Sequence, residues 1–142
     1  MANVGTSWRL WLVAALDTAF PDAEVKSGRR QGVSRDKDRI NVFTDPAVQG
    51  HLPDRIVVSS PRMVIRYWKR RSEVPAPDSP PDATELEQAR QDLETFFETH
   101  QRPPVTDLWF AQLESVHIDD DPEEWGVEAR IVGYGRNLAV TA

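Results

Sequence analysis

Three groups of residues carry side chains able to do chemistry. The first is the acidic run Asp119-Asp120-Asp121-Pro122-Glu123-Glu124. Taken as a calcium loop starting at Asp119, it offers oxygen ligands at its first, third and fifth positions. It then places Glu124 where the sharp turn needs glycine and Arg130 where a bidentate glutamate is needed. A non-standard metal site including His117 is the remaining option, but carboxylates clustered in a turn are ordinarily solvated, so no metal is expected. A second group, Ser59 or Ser60 with His51 or His117 and Asp119, spells a serine–histidine–aspartate trio on paper. No nucleophile-elbow sequence supports it. Gly133-Tyr134-Gly135 lacks the third glycine and the strand-then-helix setting of a dinucleotide site, and no phosphate-loop lysine follows a glycine run. The chain has no cysteine, which excludes disulfides, thiol nucleophiles, iron–sulfur clusters and cysteine zinc sites. His51 and His100, in presumed loops near prolines, read as exposed bystanders. The expectation is a protein that is not an enzyme and holds no cofactor.

The third group is basic. Arg29, Arg30, Arg35, Lys37 and Arg39 form one cluster, and Arg62, Arg66, Lys69, Arg70 and Arg71 another, interleaved with Tyr67 and Trp68. Such clusters suit phosphates, and aromatic rings add stacking on single strands, so a nucleic-acid-binding module using residues 28–71 is one reading. Against it stands an overall net charge of −6, where nucleic-acid modules usually run basic. That total hides a division. Residues 23–71 hold 12 Lys/Arg against 5 Asp/Glu, net +7, whereas residues 72–142 hold 4 against 16, net −12. Regions of opposite sign point to self-association or to two partner surfaces, unless they neutralise one another within one fold.

The elements that must position these groups follow from periodicity. Trp8, Trp11, Leu12, Ala15, Leu16 and Ala19 recur at helical spacing, predicting a helix over about 7–20 with Ser7 as N-cap and Pro21 as its stop. Leu10 and Val13 lie off that stripe, so the helix is apolar on more than one side. Short strands are expected at Ala23–Ser27, over 38–44, at Arg55–Ser59 and over 62–70. Loops are expected at 28–37 and around Gly50-His51-Leu52-Pro53. In the 62–70 strand Met63, Ile65 and Tyr67 face one way and Val64, Arg66 and Trp68 the other. Bulk on both sides predicts a strand covered on both faces, or one face meeting a partner.

Residues 74–81 (VPAPDSPP) contain four prolines and form a stiff spacer between the basic and acidic portions. Ser79 to Asp82 has the form of a capping box. Leu86, Ala89, Leu93, Phe96 and Phe97 then mark one face of an amphipathic helix, about 80–99. Thr106–Ile118, with Leu108, Phe110 and Gln112 opposite Trp109, Ala111 and Leu113, reads as a strand. After the acidic turn, Trp125, Val127, Ala129 and Ile131 oppose Glu128 and Arg130 in its antiparallel partner. Gly133 and Gly135 are expected to break or bulge that strand before Leu138–Val140.

At 142 residues, 39% hydrophobic and 28% charged, the chain is sized for one domain spanning 1–142. The expected fold is α+β: a mixed or antiparallel sheet packed against two helices. The stretch from Trp8 to Phe20 is interrupted by Arg9 and Asp17, is too short to span a bilayer, and lacks a basic leader. A cytosolic compartment is therefore expected.

In layout the chain resembles the tail terminator (tail-to-head joining) proteins of long-tailed bacteriophages. The resemblance rests on the opening helix WRLWLVAALDTAF running into Pro-Asp-Ala-Glu-Val and on the short middle strands. It also rests on the amphipathic helix ATELEQARQDLETFF and on the acidic turn leading into WGVEARIVGYGRNLAV. The proline-rich segment 74–81 and the arginine-rich loop 28–39 depart from that pattern and leave room for another role in the phage neck. What the resemblance implies is a structural virion protein at the tail–neck junction, assembled in the host cytoplasm. It would form a ring, usually of six subunits, that caps the tail tube and meets neck or connector proteins, while DNA passes through the lumen without specific binding. A ring needs one patch on each subunit to meet a different patch on the next. The expected pairing sets Arg29, Arg30, Arg35, Arg66, Arg70 and Arg71 against a neighbour's Asp119, Asp120, Asp121, Glu123 and Glu124. Trp8 and Trp11 are the candidate hydrophobic contact, with core packing the competing role.

Overall fold

The computed structural model describes residues 4–28, 31–45, 50–51, 57–59, 62–70, 84–121 and 123–136. Two helices, α1 (Val4–Ala19) and α2 (Thr84–Thr99), accompany seven strand segments: β1 (Ala23–Ser27), β2 (Asp38–Asp45), β3 (Gly50–His51), β4 (Val57–Ser59), β5 (Arg62–Trp68), β6 (Leu108–Asp119) and β7 (Gly126–Arg136). The fold is α+β, with both helices packed on one mixed sheet.

Pairing reduces the seven segments to five positions across the sheet. β4 and β5 keep a single register against β7, with Ser59 opposite Gly135 and Arg62 opposite Val132. β3 pairs with β4 much as β2 pairs with β5. The order is thus β1, β2, β5, β7, β6, with β1 parallel to β2 and every later pair antiparallel. Among the described residues β1 and β6 each pair on one side only, so they form the two edges.

One face carries the apolar core. Ile40 and Val42 of β2, Met63, Ile65 and Tyr67 of β5, and Val127, Ala129 and Ile131 of β7 meet Trp8, Leu12 and Leu16 of α1 and Ala89, Leu93, Phe96 and Phe97 of α2. Removing these side chains from water is the main driving force for the fold. Phe20 joins the two halves, edge-on to Tyr67 and tilted against Phe96. Trp8 is fully buried, so it is a core residue and cannot be an exposed contact. Trp11 is half-buried and packs 5.8 Å from the His100 ring.

Several local expectations are corrected. Ser7 lies within the first turn of α1 and is not its cap, since the helix begins at Val4. Gly50–His51 is a strand segment and not a loop. The glycines of β7 do not break the strand, which continues to Arg136, but a register shift in the partner strand β6 does fall opposite Gly135 and Tyr134. Both glycines are required by contact: a Cβ on Gly133 would press on Trp8 and Leu108, and one on Gly135 would collide with the Asp107 carbonyl oxygen. β6 does not alternate regularly, because register shifts lie between Leu108 and Phe110 and between Leu113 and Ser115. Leu108 and Ala111 are consequently buried, while Trp109 and Phe110 are 62% and 40% exposed. The expected cap Ser79–Asp82, the spacer 74–81 and Leu138–Val140 lie outside the described residues. No described helix is long and apolar enough to cross a membrane.

Candidate functional site

The second face of the sheet concentrates the charged groups. Its organisation follows from register, since residues directly opposite one another on paired strands share a face. One row runs Glu24, Arg39, Trp68, Gly126, Asp119 from β1 to β6, and the next runs Lys26, Asn41, Arg66, Glu128, His117. Four inter-strand spacings separate the ends of each row, about 19 Å.

At the centre stands Arg66, only 7% exposed. Its Nη2 donates to the Glu124 carbonyl oxygen at 2.5 Å, to Glu124 Oε2 at 3.2 Å and to Asp119 Oδ2 at 3.4 Å. The guanidinium also lies 5.6 Å from the centre of the Trp68 ring, a cation–π arrangement. Arg66 thus pairs with Asp119 and Glu124 of its own chain, because a guanidinium buried on a central strand must find counter-charge within reach, while the Glu124 side chain stays 54% exposed. Arg66 and Trp68 are both largely buried, at 7% and 5% exposure, so they offer little surface as a phosphate-and-base platform. Both line a groove of about 480 Å³, together with Gln31, Gly32, Phe43, Glu124 and Glu128.

The β1 edge is cationic. Glu24 is held by Lys26 at 2.7 Å, Lys37 at 3.1 Å and Arg39 at 3.8 Å, three cations around one carboxylate. Hydrogen bonds from Lys26 and Lys37 pull its pKa down to about 2. Arg35 is exposed nearby in the loop leading to β2. Arg39 also donates from Nη1 to the Gln31 carbonyl oxygen at 2.9 Å, which fastens that loop to the sheet.

The β6 edge is anionic. It leads into the acidic turn, where the Asp121 amide donates to Asp119 Oδ1 and the Glu123 amide to Asp121 Oδ1. These bonds order the backbone, and Asp120, Asp121 and Glu123 remain exposed. Below the turn, Trp125 is buried and its Nε1 donates to Glu85 Oε1 at 2.8 Å, tying the turn to α2. Farther along β6 the Phe110 and Tyr134 rings stack with centres 4.7 Å apart.

A separate node fixes the end of β5. Asp38 accepts from Lys69 Nζ at 2.8 Å, from the Arg70 amide at 2.6 Å and from the Tyr67 hydroxyl at 3.2 Å. Burial pushes the Asp38 carboxyl up, but these donors outweigh it and its pKa is lowered. Burial and the facing Asp38 carboxylate raise the Tyr67 phenol above its usual range. Arg70 therefore contributes its backbone here, and its side chain is exposed.

Of the expected interface residues, Arg35 and Arg70 on the basic side and Asp120, Asp121, Glu123 and Glu124 on the acidic side are exposed, Arg66 is buried, Asp119 is half-buried, and Arg29, Arg30 and Arg71 lie outside the described residues. Among the described residues no group of three or more His, Asp or Glu could hold a metal ion. Sequence reasoning missed the Lys26–Glu24–Lys37 cluster and the exposed Trp109 and Phe110. Lys at the second position of a five-residue strand's polar side was the available signal for the first, and three consecutive bulky residues, Leu108-Trp109-Phe110, for the second. No family model matches the chain, and no curated protein matches it.

Proposed function

We propose that this chain is a structural virion protein, a tail terminator whose copies form a ring that caps the phage tail tube and joins it to the neck. The observation that carries the reading is the placement of unlike charge on opposite edges of one sheet. The β1 edge holds Lys26, Lys37 and Arg35, and the end of β6 holds Asp120, Asp121 and Glu123. Two different patches on opposite sides of a subunit are what a head-to-tail interface requires, and closure of that interface makes a ring. Opposite charge across it steers encounter and sets orientation. Trp109 and Phe110, on the same strand as the acidic end, add exposed apolar area. Six subunits, the tail tube and neck proteins as partners, and DNA passing through the lumen without specific binding come from the resemblance in layout. Another neck protein, a connector or tail-completion component, is the nearest alternative and would use the same edges.

The test is sedimentation of the purified protein without nucleic acid, at rising concentration and at two salt levels. A ring protein forms a discrete oligomer that weakens as salt screens the edges. A monomer at every concentration, together with salt-sensitive binding to single-stranded DNA, would overturn the reading in favour of a nucleic-acid module.

A further inference from the structure

We infer that the contact between subunits is made by strand pairing, with the β1 edge of one copy joining the β6 edge of the next in an antiparallel ladder. The inference rests on the ring reading and specifies its seam. The occupant of each free edge is thus a second copy of this chain.

Four observations lead to it. Both edge strands are unpaired on their outer sides among the described residues, and an open edge offers a row of donors and acceptors for another strand. Only part of β6 is open. The Ala111 amide donates to the Gln101 carbonyl oxygen at 2.7 Å, so the first half of that edge is covered, leaving the stretch beyond the second register shift, Ser115 to Asp119. That stretch has five residues, the same as β1, Ala23–Ser27. Strand direction also fits. β1 is parallel to β2, and three antiparallel steps then lead to β6, so β1 and β6 run in opposite senses within one chain. Rotation about an axis along the strands preserves those senses, and the edges of adjacent copies therefore meet antiparallel, the more stable arrangement.

Charge agrees with this choice. Lys26 and His117 end the same row on the second face, and the Lys26–Lys37–Arg39 cluster around Glu24 carries a surplus of positive charge. The facing edge ends in Asp119 and the acidic turn. Pairing β1 with a second β1 would bring together two edges of net positive charge, which joining β1 to β6 avoids. The seam is then heterologous, and copies add in one direction only.

The absence of native cysteine makes the test direct. Paired residues in an antiparallel ladder approach within disulfide range. Two double variants, Lys26→Cys/His117→Cys and Lys26→Cys/Ser115→Cys, cover two registers with side chains on the same face. Lys26→Cys/Glu98→Cys, whose second site is on the exposed side of α2, serves as control. After mild oxidation, at least one of the first two is expected to give a ladder of covalent multimers at least tenfold above the control, stopping at the ring number. If both still sediment as the parent oligomer yet give no more ladder than the control, the seam is not a strand pair, and the ring reading stands without it. If the parent protein is monomeric at every concentration, the ring reading fails and the inference with it. A ladder that runs on without a stop supports edge pairing but contradicts closure.

Discussion

The two faces of the sheet show how adjacent residues on one strand take opposite tasks. On β5, Ile65 is fully buried under α1 and α2 among apolar side chains, and Arg66, the next residue, is nearly as buried on the other face with its charge answered by Asp119 and Glu124. The first face derives stability from area removed from water. On the second face the desolvation cost of a guanidinium is offset by paired carboxylates, a net contribution that is small by comparison. The lesson is that charge on a sheet face is not by itself a surface for partners. What remains for partners is the charge at the edges, where Lys26 and Lys37 share the one carboxylate of Glu24 and Asp120, Asp121 and Glu123 are exposed.

Breaking the first face carries the largest expected effect. Ile65→Ala or Leu93→Ala should destabilise the protein by about 2–5 kcal/mol in urea unfolding, because both leave a cavity in a fully packed core. If either variant loses less than about 1 kcal/mol, the helices are not seated on the sheet as described. On the second face, Arg66→Met should cost about 2 kcal/mol or less, since the thioether fills the volume while Asp119 and Glu124 can turn to solvent. A loss equal to that of Ile65→Ala would erase the distinction between the faces.

The Asp38 node sharpens the comparison through pH. Its folded-state pKa lies below the unfolded value of about 3.9, so the unfolded chain binds more protons in that range. The contribution is complete above about pH 4 and is lost as pH falls through the lowered pKa. Asp38→Asn should therefore narrow the stability gap to the parent as pH is lowered from 7 towards 2 in equilibrium unfolding. A gap that widens on acidification would mean the carboxylate is not held by Lys69 and the Arg70 amide.

The apolar stripes of both helices, and the two-sided bulk of the strand at Met63–Trp68, were legible because their periods are local properties of the chain. The pairing of Arg66 with residues more than fifty positions away was not, since it depends on which strands become neighbours. The same holds for Gly133 and Gly135, whose role depends on Trp8, Leu108 and Asp107 approaching from elsewhere in the chain. The irregular register of β6 hid Trp109 and Phe110 from an alternation count. Of the expected interface, the acidic turn was read from composition alone, but which of its carboxylates stay exposed required the fold.

The smallest expected effect on stability falls at the edges. Arg35→Glu/Lys37→Glu, and separately Asp120→Lys/Asp121→Lys/Glu123→Lys, should each shift unfolding by only about 0.5 kcal/mol per residue, the scale of surface substitutions. Either set should leave a folded monomer where the parent assembles, as read by sedimentation.

Mixing those two charge-reversed proteins tests head-to-tail association through unlike edges most directly. The first then has two acidic edges and the second two basic ones, so neither associates with itself while each complements the other. Light scattering should show two monomers alone and an oligomer of alternating subunits in the equimolar mixture. Oligomers formed by either variant alone at the parent's concentration, or a mixture of folded variants that stays monomeric, would contradict the account.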